Sequence, residues 1–268
     1  VPTIEQRQLS SANRLFALLD LFTEQAPVWD TDALIAALGC PRATAYRALK
    51  TLVDAGFLVK LAAGRYGLGP RIIQLDWQLR SSDPLLHAAM PLMQDLSRDT
   101  GLDAVLSVLM GEHIIDIHRA TGQARLALAY GRGRPRPLFL GAAPRVLLAY
   151  QPPGVLRRLH ERRAEEIRHC AMGQNWAEFR ARLAQVREAG WTASLGELEA
   201  HLGAVAVPVM DEEGSVRAAL ALVGPQPRFQ AGGLASLVGP LKAAAARLRP
   251  QPGHGPEVPA RSSDRSGD

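Results

Sequence analysis

Residues 31–68 read TDALIAALGCPRATAYRALKTLVDAGFLVKLAAGRYGL, and their periodicity decides the fold of the amino-terminal part of the chain. Asp30 or Thr31 can cap a short helix whose apolar face is Leu34, Ile35 and Leu38. Gly39 ends it, because a left-handed turn costs glycine little. Pro41 opens a second helix, since at a first helical position its missing N–H has no partner to lose. Three- and four-residue spacing turns Ala45, Leu49, Leu52 and Val53 inward and leaves Arg42, Ala43, Thr44, Tyr46, Arg47 and Lys50 on the other side. Gly56 closes that helix. Residues 57–60 then read as a strand, Ala63-Gly64 as a tight turn, and Arg65, Tyr66 and Leu68 as a returning strand, which predicts a two-stranded wing.

Helix, turn, helix and wing in this order form a unit that can lie against duplex DNA. The outward residue types suit such a contact, because arginine grips guanine edges or phosphates, threonine and alanine meet a thymine methyl, and tyrosine and lysine hold the backbone. Candidate DNA contacts are therefore Arg42, Ala43, Thr44, Tyr46, Arg47 and Lys50 on the helix, with Lys60, Arg65 and Tyr66 on the wing. Charge points the same way. Residues 42–71 hold six basic residues against one acidic, a balance of +5, whereas residues 1–41 hold two against five, a balance of −3. Cationic charge is thus gathered where phosphates would lie. The competing reading is a solvated helix face on a small helical domain.

The 268 residues are enough for one large or two ordinary domains, and 47% hydrophobic with 21% charged residues is a globular composition. A net charge of only +5 excludes a uniformly basic coat for nucleic acid. Cys40 and Cys170 stand far apart with no metal-ligand spacing, which suits a reduced chain without a disulfide framework. The start, VPTIEQRQLS, lacks the basic segment and apolar run of a signal peptide. No apolar run approaches the roughly 18 residues that span a bilayer, so a cytoplasmic chain with no membrane partner is expected.

Ser10 or Ser11 can cap a first helix reaching about Glu24, whose Leu15, Leu18, Leu19 and Phe22 would support the next two. Residues 10–69 then form a winged helix-turn-helix domain. Residues 70–82 read as a linker helix, with Ile72, Ile73, Leu75 and Leu79 free to pack on the body or on another subunit. From residue 83 a helix leads to a hairpin at 104–110 and 113–118, a candidate third strand at 126–130, the loop GRGRPRP, and a segment at 138–150 that begins extended and becomes helical. Two densely charged helices follow at 155–170 and 175–190; Arg157, Arg158, Arg162 and Arg163 are offset there by Glu161, Glu165 and Glu166, a salt-bridged solvated face. Strands at 191–194, 204–210 and 218–223 and a final helix at 233–248 complete a mixed α/β domain at 83–249. The tail at 250–268, rich in Pro, Gly and Ser, reads as disordered.

Catalytic signatures are missing: no G-x-S-x-G elbow, phosphate loop, dinucleotide fingerprint or H-E-x-x-H occurs. In HIIDIHR, alternation places Asp116 and His118 on one face, which could begin a metal site, but no third ligand stands nearby and a surface pair is the simpler reading. Neither a catalytic residue, a metal nor a cofactor is expected.

With both halves read, the chain closely resembles the IclR family of bacterial transcriptional regulators. The head matches through SANRLFALLDLF, CPRATAYRALKTLVDAGFL and GRYGLGPR, and the body through PLFLGAAPRVLLAY and GWTASLGELEAHLGAVAVPVMDEEGSVRAALALVGP. The resemblance implies an α+β chain: a winged helix-turn-helix, a helical linker and a GAF-like effector domain, assembled as homodimers or homotetramers on palindromic double-stranded operators. It also implies an effector pocket between the turn Gly141, Ala142, Ala143, whose N–H groups could receive a carboxylate, and a wall of Ser194, Leu202, Ala204, Ala221 and Val223. In that family an acidic residue often stands at Ser194, Cys at Ala204, Ser at Ala221 and Val223, and Gly at His201. These departures remove side-chain hydrogen-bonding groups, so a small polar acid would leave polar atoms unpaired. The expectation is a larger or more apolar effector, or a degenerate pocket with none; a small-molecule-processing enzyme with an appended head is the remaining alternative.

Overall fold

The computed structural model describes residues 10–123 and 131–248. The third strand expected at 126–130 and the tail at 250–268 lie outside the described residues. Two compact units part between Asp83 and Pro84.

In the first unit Ser10 caps α1 (Ser11–Asp20), its hydroxyl accepting the Asn13 N–H at 3.2 Å, and Asp30 caps α2 (Thr31–Leu38), accepting that of Ala33 at 2.8 Å. α1 stops at Asp20 rather than near Glu24. The chain turns there because the Trp29 indole N–H is shared between the carbonyls of Leu21 and Ala26, at 2.9 and 3.1 Å. Pro41 stands one place before α3 (Arg42–Asp54), as its cap rather than its first residue, and its carbonyl accepts the Thr44 and Ala45 N–H groups. Gly56, at φ +76°, closes α3: its N–H reaches Val53 O and the Phe57 N–H reaches back to Leu52 O, both at 2.9 Å.

The wing has three strands, not two: β1 (Trp29–Asp30), β2 (Leu58–Lys60) and β3 (Arg65–Leu68), in the order β1-β3-β2. β1 is too short for an alternating pattern to announce it. The Thr31 hydroxyl donates to Gly64 O at 2.7 Å and fastens the start of α2 to the wing turn. Leu18, Leu34, Leu49 and Leu58 form the centre of the core. α4 (Arg71–Ser82) ends the unit and contributes no buried residue.

The second unit contains α5 (Pro84–Thr100), β4 (Asp103–Met110), β5 (His113–Ala120), β6 (Pro135–Arg136), α6 (Ala142–Ala149), α7 (Pro153–His169), α8 (Trp176–Ala189), β7 (Thr192–Leu195), β8 (Leu202–Met210), β9 (Val216–Pro225) and α9 (Ala231–Arg247). Among the described residues the strands form one antiparallel sheet in the order β6-β5-β4-β9-β8-β7. Alternation along β8 sends Val205, Val207 and Val209 to the face covered by α5 and α9, and Ala206 to the face covered by α6, α7 and α8. Small residues meet small residues on that second face, Ala206, Ala219 and Ala221 against Ala142 and Ala143. α6 therefore sits close to the sheet, with its first turn near the β7 edge. The outer charges of α7 pair as its spacing suggests, Arg157 with Glu161 at 2.9 Å and Arg163 with Glu166 at 2.6 Å.

Candidate functional site

The candidate residues fall on two surfaces, one in each unit. On α3, Ala45, Ala48, Leu49 and Leu52 are buried, while Arg42, Ala43, Tyr46, Arg47 and Lys50 are exposed and Thr44 is half-buried. Lys60 and Arg65 are exposed on the wing. Tyr66 is not: it is 7% exposed and belongs to the core. The cause is strand alternation, which points Arg65 outward and turns its neighbour inward. Tyr66 thus leaves the set of candidate contacts. Arg42 is already engaged, 2.7 Å from Asp32 and 6.0 Å from the centre of the Tyr46 ring. Its contact with Tyr46, followed by the charge of Asp32, raises its guanidinium pKa further above the ordinary value. Arg47 and Lys50 lie further along the same exposed face.

The second surface is a cavity of about 50 Å³, room for a few waters or one small organic group. Ser194, Ala204 and Val223 lie side by side across β7, β8 and β9 and, with Leu202, line it. Ala142, Ala143 and Ala221 do not line it; the first two, on α6, and Ala221, on β9, are buried where that helix packs on the sheet. Gly141, at φ +98°, does not line it either, but stands behind Leu198, which does: a methyl group on Gly141 would come within 3.3 Å of that side chain.

Loss of polar side chains from the wall does not make the cavity apolar, because Asp116, Arg136, Glu197 and Glu199 also line it. Asp116 is buried on β5, accepts the Ser107 hydroxyl at 2.7 Å and pairs with Arg136 at 3.0 Å. Arg136 comes from the segment read as the loop GRGRPRP, which instead supplies the edge strand β6. Glu197 accepts the Gly141 N–H at 2.9 Å and an Arg145 N–H at 2.8 Å. A carboxylate does occupy the start of α6, and the chain itself provides it. Sequence reasoning missed Arg136, Arg145, Glu197 and Glu199. Of these, only the acidic pair in GELEA, beside a strand, offered a local cue.

Asp116 and His118 do not share a face. Pairing of β4 with β5 shifts between Leu106 and Ser107, so that Leu106 faces His118, Ser107 faces Asp116, and Ile117 is the extra residue of a bulge. Asp116 consequently turns to the cavity and His118 to the opposite side, beside Gln94 and Arg98 of α5. Among the described residues, no group of three His, Cys, Asp or Glu is placed to hold a metal. Cys40 and Cys170 are free thiols, and burial pushes the Cys170 thiol pKa up, with the Glu166 and Glu197 carboxylates adding to the effect, away from a reactive thiolate. No helix among the described residues is long and apolar enough to cross a membrane.

Comparison with known proteins brings both surfaces under one description. Residues 11–62 match the IclR helix-turn-helix domain, and residues 78–249 match the family described as bacterial transcriptional regulator IclR C-terminal. The HTH-type transcriptional regulator XynR of Escherichia coli is 31% identical over 216 residues, 80% of this chain and 85% of that one. An IclR transcriptional regulator from Alicyclobacillus acidocaldarius superposes with a TM-score of 0.71 at 26% identity, covering 90% of this chain and 98% of that one. An IclR homolog from Microbacterium hydrocarbonoxydans, solved with 4-hydroxybenzoate, has the same fold, with a TM-score of 0.69 at 22% identity over 89% of this chain and 96% of that one. The first two are named as regulators of transcription, and the third holds a small molecule. The chain belongs to the IclR family of bacterial transcriptional regulators.

Proposed function

We propose that α3 enters the major groove of a palindromic operator, with Arg47 and Lys50 as its principal contacts and Ala43, Thr44 and Tyr46 beside them. Lys60 and Arg65 on the wing hold the flanking backbone. Arg42 acts from a position already tied to Asp32. The observation that supports this reading best is the division of α3 into a fully apolar inner face and an outer face carrying three cations.

Two heads are needed to meet two half-sites, and α4 offers a face for a second copy: Ile73, Trp77 and Leu79 are 73, 68 and 62% exposed. A homodimer, or a homotetramer built from it, working in the cytoplasm, accounts for both features. The cavity over the sheet, closed by the segment after β7, receives a small-molecule effector, as the 4-hydroxybenzoate-bound homolog suggests for a chain of this fold, and the ligand changes operator affinity by altering how two heads are held. At its present size the cavity takes a small ligand; a larger one enters only if residues 196–201 move aside.

Genomic footprinting with the full chain, followed by fluorescence anisotropy on the recovered duplexes, tests the reading. Preference for the recovered sequence over a scrambled one, lost in Arg47→Ala, is the expected result. Equal affinity for both sequences would end it.

A further inference from the structure

We infer that the close approach of Gly69 to Gly56 makes α4 a rigid continuation of the recognition helix α3, and that Gly69 is thereby the positioning residue that sets how far apart two recognition helices stand on an operator. This rests on the reading of α4 as the face covered by a second copy. The end of α3 and the start of α4 complete each other. Gly56 closes α3, and its carbonyl accepts the N–H of Arg71, the first residue of α4, at 3.1 Å, a donor that would have no partner within its own helix. The negative end of one helix thus meets the positive end of the other. Gly69 lets the two backbones come together. It is buried, its N–H reaches Phe57 O at 2.7 Å, and a methyl group on it would overlap the Gly56 carbonyl oxygen and stand 2.9 Å from the carbon of that carbonyl. Any side chain at this position pushes the root of α4 off the end of α3, because the atoms in collision are backbone and cannot turn aside.

Gly39 shows the difference. It also ends a helix in this unit, but nothing stands within 4 Å of the place its methyl would take, and it is glycine for its φ of +59°. Gly69 has no left-handed φ and is glycine for the contact alone. Core packing gives α4 no direction, since the helix contributes no buried residue. Its direction is therefore set at its root, where Arg71 also braces the first turn by donating to the Gln74 side chain at 3.2 Å. The 12 residues of α4 make a lever of about 18 Å. A tilt of about 10° at the root moves the far end by about 3 Å, close to the rise of about 3.4 Å between base pairs. Two heads joined along α4 meet two half-sites only when both levers leave their roots at the angle that matches the operator.

Fluorescence anisotropy of the full chain, unchanged and as Gly69→Ala, is the test, on an operator recovered by footprinting, on one isolated half-site, and on operators with a base pair added or removed between the half-sites. The unchanged protein should lose about tenfold or more in affinity for either altered spacing. Gly69→Ala should bind the isolated half-site within about twofold of the unchanged protein, while its preference among spacings flattens to less than about threefold or moves to another spacing. A spacing profile unchanged in Gly69→Ala, equal affinity of the unchanged protein for every spacing, or a folded Gly69→Ala that weakens on all duplexes alike overturns the inference. Circular dichroism checks folding. If Gly69→Ala is unfolded, amide exchange in the unchanged protein decides: the Arg71 N–H should exchange as slowly as that of Phe57, and fast exchange there overturns the rigid contact. Sedimentation of Trp77→Glu reports separately. Self-association that survives that change defeats α4 as the face for a second copy, whereas association lost in Trp77→Glu with an unchanged spacing profile in Gly69→Ala defeats the role of Gly69 alone.

Discussion

Arg47 on α3 and Arg136 beside the cavity carry the same guanidinium, yet their surroundings are opposite. Arg47 is exposed on a face whose reverse side is wholly apolar. Arg136 has a side chain only 9% exposed and is matched by Asp116, which the Ser107 hydroxyl supports in turn. A charge meant for an outside partner is left to water, which solvates it until that partner arrives. A charge that shapes a cavity must be compensated inside the fold, because an isolated buried ion costs several kcal/mol. The head is therefore built to meet something and the cavity to choose something, and substitutions in the two places should fail differently.

Removing Asp116 is the strongest way to expose that difference. Asp116→Ala leaves the Arg136 charge buried without its carboxylate and should destabilise the second unit by about 3 kcal/mol or more. Replacing both partners together, Asp116→Leu with Arg136→Met, should restore much of the loss, since well-packed apolar residues often substitute for a buried pair. Urea denaturation followed by hydrogen exchange in β4 and β5 reads the effect where it arises. If the single and double variants are equally unstable, the pair is not compensating charge.

Arg47→Ala should do the reverse: about tenfold or more lost in operator affinity, with the unfolding midpoint unchanged. Arg42→Ala is the matched comparison. Its guanidinium is already shared with Asp32, so it should weaken DNA binding less than Arg47→Ala does, and anisotropy on one duplex ranks them. A ranking with Arg42 first would mean that Asp32 positions it for DNA rather than restrains it. Trp77→Glu should leave the binding of one head to one half-site intact and lower self-association about tenfold, as sedimentation velocity would show. Unchanged sedimentation would remove α4 as the face covered by a second copy.

The contrast between exposed and buried charge also explains what could be read from residues alone. The α3 face was legible because helical periodicity is local: Ala45, Leu49 and Leu52 identify the inside, and whatever alternates with them is outside. Gly39 and Gly56 were legible because both have positive φ and close a helix. Tyr66 was misplaced because an amphipathic ring serves either side of a strand, and only its pairing with Trp29 on an unannounced strand settles which. Asp116 and His118 were separated by one extra residue, Ile117, which period-two counting cannot foresee. The wall of Ser194, Ala204 and Val223 could be located by resemblance, but its polarity could not. Glu197 meets Gly141 across 56 positions and Asp116 meets Arg136 across 20, and nothing local encodes those meetings.

Lys60 provides the finest measure of the head. It lies on β2, an edge strand of the wing, exposed, and pairs through its backbone with Tyr66, so its position is fixed while its ammonium group faces water. A lysine placed in this way neutralises phosphate without reading bases. Lys60→Ala should therefore weaken binding to operator and scrambled duplexes alike, and lower the slope of log affinity against log salt by about one unit. Arg47→Ala, in contrast, should compress the ratio between the two duplexes. A salt titration in which Lys60→Ala alters that ratio and leaves the slope unchanged would make the wing a reader of bases, and the division of labour between α3 and the wing would have to be redrawn.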